Sequence, residues 1–217
     1  SHAPLPKAQP KEYYPLSAPQ QRIYTAYILA GNSMVYNMPL IFRISGPLDE
    51  NKLELAFKAL IDRHSILRTQ FVEIDGLPVQ QILDSVDFSL QKLNSVHDLD
   101  SICKEFVRYF DIGRAPLIRA AIVEYSEMDH LLALDIHHII CDGISAGILL
   151  GELKKLYLGQ ALDEVNYQYC DYTEWQKLQE TTDEYRKKGE YWRNELSQPP
   201  QNINFPCDFP RTTVRTY

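Results

Sequence analysis

No stretch of this chain comes near the roughly 18 uninterrupted apolar residues of a membrane helix. The polar, proline-rich N-terminus also lacks the apolar centre of a signal peptide. Basic residues are in deficit, since 22 Lys and Arg against 29 Asp and Glu leave a net charge of −7, without the basic footprint of a nucleic-acid binder. Cysteine is sparse and scattered. Cys103, Cys141, Cys170 and Cys207 show none of the two-residue spacings of zinc knuckles or redox pairs, so four reduced thiols are expected. There is no internal repeat and no low-complexity tract. These absences predict a soluble, cytoplasmic protein with no nucleic-acid partner and no membrane partner. What is present is globular in composition, 45 % apolar and 24 % charged over 217 residues, long enough for one large domain or two small ones.

Pro4, Pro6, Pro10 and Pro15 crowd the first residues, which read as a semi-rigid linker or leader over 1–15. Ser17 is a candidate cap for a helix with Pro19 in its first turn, ended by Gly31. Residues 39–46 read as a strand. Behind Asp49, Leu53, Ala56, Phe57, Leu60 and Ile61 recur at helical spacing. Residues 71–74 and 79–83 flank Asp75-Gly76, a hairpin turn. A helix is predicted with Ile102, Phe106, Tyr109 and Phe110 on one face, then two antiparallel strands, 117–125 and 131–137. Helices over about 144–158, 169–180 and 183–196 follow. Hairpins and helices mixed in this order, without a regular βαβ rhythm, define an α+β sandwich: a mainly antiparallel sheet with helices packed on it.

The chemically informative stretch runs from His137 to Gly143, His-His-Ile-Ile-Cys-Asp-Gly, where a strand ends and a helix begins. A neutral imidazole accepts a proton near neutral pH, so either histidine suits general-base work. Asp142 could orient an imidazole or be held by an arginine, and Gly143 leaves its N–H open to a substrate oxygen. Two other readings compete: core histidines bonded to backbone, or a zinc site with Cys141 and Asp142. Neighbours in a strand point to opposite faces, which makes chelation of one ion by both imidazoles awkward. The same alternation sends one histidine to the core and the other to a cavity, without saying which.

His137, His138, Asp142 and Gly143 match HHxxxDG, and the sequence resembles the condensation domains of nonribosomal peptide synthetases, within the superfamily of chloramphenicol acetyltransferase. Leu16–Tyr24, Tyr36–Pro39, Arg63–Phe71 (similar to RHxxLRTxF) and Tyr169–Gln176 (similar to YxDYxxWQ) carry the resemblance in family order. It implies a chloramphenicol acetyltransferase-like sandwich and amide formation between aminoacyl or peptidyl thioesters on donor and acceptor carrier proteins. Both substrates would arrive on phosphopantetheine arms, with no cofactor and no metal bound by the domain itself. The resemblance places His138 beside the attacking amine, as base or as positioning group, and the Gly143 N–H at the thioester oxygen. It makes His137 and Asp142 structural, with Asp142 in a buried ion pair; Arg68 is the candidate partner, and Arg22 or Arg63 could serve. Tyr169, Asp171 and Trp175 are assigned to scaffold, as is His64 at a helix end.

A complete condensation domain is implied to hold two such lobes with the substrate tunnel between them. Residues 16–217 therefore resemble the N-terminal lobe, with Phe205–Arg211 similar to the segment before the second half. The C-terminal lobe is the implied missing partner, and the isolated lobe is expected to be inactive. Alternatives are a self-standing chloramphenicol acetyltransferase-like enzyme, an epimerization domain, or a non-catalytic module that docks a carrier protein.

Overall fold

The computed structural model describes residues 5–31, 33–93, 98–198, 206, 208 and 209; His97, Cys207 and most of the segment 205–211 lie outside them. The chain divides into two units, 1–177 and 178–217. The element order is β1 (Tyr14–Pro15), α1 (Ala18–Ala30), β2 (Asn37–Ser45), α2 (Glu50–Arg63), a short 3₁₀ turn (Ser65–Arg68), β3 (Thr69–Ile74), β4 (Leu77–Ile82), β5 (Gln91–Lys92), α3 (Leu99–Phe106), β6 (Ile118–Ser126), β7 (Asp129–His137), α4 (Gly143–Tyr157) and α5 (Tyr169–Glu180). In the second unit, α6 (Asp183–Glu195) has its N-terminus capped by Thr182.

Side chains placed at helix starts set these boundaries. Ser17 accepts from the Gln20 N–H while the Gln20 side chain accepts from the Ser17 N–H, a reciprocal cap on α1. Asp49, Asp98 and Asp142 cap α2, α3 and α4 one way only, each accepting the N–H of the residue three positions on. Asp75 and Gly76 take φ of 51° and 78°, the left-handed pair that lets β3 and β4 close as a tight hairpin.

Two sheets result: β1-β4-β3, and a four-stranded sheet in the order β2-β7-β6-β5. All pairings are antiparallel except β5 with β6. Strands β6 and β7 are buried on both faces and read as almost continuous apolar runs. Ile118, Ala120, Ile122, Leu132, Leu134 and Ile136 join Phe57, Leu60 and Ile61 of α2 and Leu149 and Leu153 of α4 in the main core. Ala121, Val123, Leu131 and Ala133 meet Ile102 and Phe106 of α3 in a second cluster. Each fully buried side chain of this size contributes about 1.5–3 kcal/mol.

Residues 5–15, expected as part of a linker or leader, are held by specific contacts. Tyr14 and Pro15 pair with β4, and the Ala8 N–H donates to Asp171 Oδ1 at 2.7 Å while Lys11 Nζ reaches Glu174 at 2.8 Å, so proline's extended bias is used to lay the segment along α5. Helix α3 stops at Phe106, not at the expected Phe110. Val107 turns extended, and Phe110 reaches the main core from the irregular segment that follows.

Candidate active site

Strand β7 ends on the two histidines, and the structure separates them. The His137 N–H donates to Leu117 O at 3.0 Å, the last rung onto β6, and its side chain is 2 % exposed. His138 donates its N–H to Tyr36 O at 2.8 Å, one residue beyond the strand, and its side chain is exposed. Between them the chain turns: Ile140 N–H bonds His137 O at 3.1 Å, and Ile139 N–H donates to His137 Nδ1 at 3.2 Å. A ring nitrogen that accepts a backbone N–H carries no proton, so neutral His137 holds its hydrogen on Nε2. Burial, with a smaller contribution from His138, pushes its pKa down to about 4, which keeps it neutral at pH 7. Tyr27, Tyr36 and Phe110 surround the ring, with centroids 6.0–6.2 Å away.

His138 opens into a cavity of about 400 Å³ walled by α1, α4 and the Tyr167–Tyr169 segment. Gln20 of α1, itself buried, donates to Ile139 O at 3.3 Å and to Gln80 Oε1 at 3.0 Å, tying the residue after His138 to the hairpin sheet. Tyr169 meets Ser17 Oγ at 2.8 Å, and Asp171 holds the N-terminal segment, so the aromatic α5 face forms wall and scaffold. His64 also lines the cavity; its Nε2 lies 2.6 Å from Glu152 of α4.

Asp142 caps α4, accepting from the Ser145 N–H at 2.8 Å and hydroxyl at 2.6 Å, and these two bonds hold its carboxyl below the usual range. Gly143, first residue of the helix, has no acceptor within the helix for its N–H, and the helix dipole favours negative charge there. Nothing lies within 4 Å of where a Cβ on Gly143 would sit.

Arg68, the expected partner of Asp142, is held elsewhere in this structure. Arg68 donates to the carbonyls of Leu83 and Asp84, because it stands where the 3₁₀ turn meets β3 and faces the end of β4. Arg63 is bound to Glu152 at 3.0 Å, and Arg22 is exposed. Asp142 itself is exposed, and its oxygen is committed to the helix end instead of to a buried arginine. The buried ion pair of the site region is Arg119 with Asp135, which sequence reasoning missed. Its only sequence signal is a charge set between apolar neighbours in each of two paired strands.

Among the described residues no three His, Cys, Asp or Glu side chains converge as a metal site would. No helix among them is long and apolar enough to cross a membrane.

The antiparallel sandwich, with its histidine pair at a strand end before a helix, has the chloramphenicol acetyltransferase-like fold. A family model described as "Condensation domain" matches residues 10–217, and the chain belongs to the condensation-domain family of nonribosomal peptide synthetases. It is 40 % identical to bacitracin synthase 3 of Bacillus licheniformis over 217 residues, 99 % of this chain and 3 % of that protein. Identity to gramicidin S synthase 2 of Aneurinibacillus migulanus is 39 % over 208 residues, 95 % of this chain and 5 % of the relative. Among solved structures, the X-domain from teicoplanin biosynthesis superposes with a TM-score of 0.80 at 25 % identity, over 98 % of this chain and 49 % of that one. The starter condensation domain of rhizomide synthetase gives 0.74 at 21 %, over 88 % and 52 %. The chain therefore spans a few per cent of the synthetases it matches and about half of these solved chains.

Proposed function

We propose that residues 16–217 form the histidine-bearing lobe of a condensation site that makes amide bonds between carrier-bound thioesters, and that a second lobe supplies the opposite wall. One observation carries this reading: His137 is buried and bonded to its own turn, while His138 opens into a cavity next to the N-terminus of α4, where the Gly143 N–H has no acceptor within the helix.

In the proposed reaction, the free amine of an acceptor aminoacyl thioester attacks the carbonyl carbon of the donor thioester. The new C–N bond forms, the nitrogen loses a proton, the C–S bond breaks, and the donor's pantetheine sulfur leaves and regains a proton. His138 receives or orients the amine proton. The Gly143 N–H and the helix dipole face the oxygen on which charge develops. His137 and Asp142 act on geometry: one fixes the turn that presents His138, the other starts the helix that presents Gly143. Holding two tethered substrates together supplies much of the rate. The partners are donor and acceptor carrier domains, and the phosphopantetheine arms are theirs.

The test loads two carrier proteins with aminoacyl groups and follows dipeptide formation by mass spectrometry. A protein containing this chain together with a second lobe should condense, the 217-residue chain alone should not, and His138→Ala in the longer protein should abolish product. Dipeptide from the isolated chain, or full turnover in the His138→Ala protein, would overturn the reading.

A further inference from the structure

Arg119 and Asp135 face each other across β6 and β7, each a lone charge among apolar neighbours, at 9 % and 0 % exposure. A charge pair so deep is costly, and replacing such pairs by apolar residues often leaves stability unchanged or improved. The cluster is also imperfect, because Asp135 Oδ1 and Asn37 Oδ1 are buried without hydrogen-bond partners. Stability does not explain its shape.

Its contacts point instead to the histidines. Asp135 Oδ2 accepts from Asn37 Nδ2 at 2.7 Å and lies 3.6 Å from the Arg119 guanidinium. Arg119 donates to the carbonyls of Arg108 at 2.8 Å and Tyr109 at 3.2 Å, and Asn37 donates to the same Arg108 carbonyl at 2.9 Å. The guanidinium also lies 3.6 Å from the centroid of Phe110. Thus two polar side chains, Arg119 and Asn37, grip the segment 108–110, and Asp135 holds both of them. That segment packs on His137: Phe110 meets the ring edge-on, and Tyr109 stacks on Tyr27, which meets it from another side. His137 in turn accepts the Ile139 N–H across the turn from which His138 projects.

We propose that Arg119 and Asp135 are positioning residues for His138: they clamp the ring wall of His137 and so fix the turn that aims its neighbour into the cavity. This rests on the condensation reading of His138. Arg119 touches neither substrate nor His138; it acts through the carbonyls of Arg108 and Tyr109 and the ring of Phe110. Lysine keeps the charge but cannot span two carbonyls while stacking flat on a ring.

The test uses a condensing protein that contains this chain, with loaded carriers, and compares Arg119→Lys, Arg119→Met, Asp135→Asn and His138→Ala. Arg119→Met should lower kcat roughly ten- to a hundredfold with KM for the carriers little changed. Asp135→Asn, which keeps the shape, keeps the proposal testable if the methionine variant folds poorly, and should lower kcat less than Arg119→Met does; Arg119→Lys should recover part of the loss. In the 217-residue chain, long-range proton–nitrogen correlation of the imidazoles should show a single Nε2–H tautomer for His137, and a tautomer mixture in Arg119→Met. If His138→Ala abolishes turnover while the Arg119 and Asp135 variants keep wild-type kcat and the single tautomer, losing only thermal stability, positioning is overturned and the condensation reading stands. If His138→Ala leaves turnover intact, both fall.

Discussion

On one face of the four-stranded sheet, Ile118, Ala120, Ile122, Leu132, Leu134 and Ile136 meet α2 and α4 in a purely apolar core. On the other, the same two strands put Arg119, Asp135 and His137 in line with Ala121, Val123, Leu131 and Ala133. Both faces are buried, yet they do different work. The first supplies the free energy that lets the chain fold. The second gives up some of that energy to hold a histidine, two charges and the backbone carbonyls of Arg108 and Tyr109 in fixed relation.

The contrast can be broken at either face. Phe57→Ala, deep in the apolar core, should cost about 3–5 kcal/mol, read from the urea midpoint, with no rescue by a second substitution nearby. Arg119→Met should cost about as much alone, because it strands the Asp135 carboxylate in the interior. The double variant Arg119→Met with Asp135→Leu should recover most of that loss; an equally unstable double variant would mean that the pair is a net source of stability, which the comparison denies.

His137 gives a third handle through pH. Its folded pKa of about 4 lies below the unfolded value of about 6.5. Between those values the unfolded chain binds a proton that the folded chain refuses, so the stabilisation is complete above about pH 6.5 and is lost as pH falls toward 4. The loss attributable to this group is about 3 kcal/mol. Urea midpoints from pH 7 to 4.5 should therefore fall more steeply in the parent than in His137→Gln. Asp142→Ala should have the smallest effect. Loss of an exposed cap costs about 1 kcal/mol, not the larger price of a broken buried pair. Its carboxyl is held below the usual range, so the cap's contribution is present above about pH 4 and is lost as pH falls through the lower folded value.

Features carried by local chemistry were legible in the sequence. Asp75-Gly76 states its own turn, Ser17 and Asp49 announce the helices behind them, and the apolar rhythm of Leu53 to Ile61 shows which side of α2 is buried. The histidine pair was legible as a split between core and cavity, but alternation has no absolute phase. Only the rungs from His137 to Leu117 and from His138 to Tyr36 assign the sides. Features that depend on register or on distant captures were not legible. Arg119 faces Asp135 only once β6 and β7 are aligned, and nothing near residue 8 foretells Asp171. Asp142 caps α4 in this structure, but an aspartate before a helix has two fates, cap or ion partner, and the motif alone does not choose between them.

The belt of residues Lys7 to Lys11 along α5 bears on where this chain can be joined to another protein. Its backbone and lysines supply donors to Asp171 and Glu174, and Asp171 is almost wholly covered. A chimera spliced at Leu16 would inherit a carboxylate stripped of the Ala8 donor, beside the tyrosines that wall the cavity. Fusion junctions therefore belong ahead of Leu5, so that the belt travels with the helix it fastens.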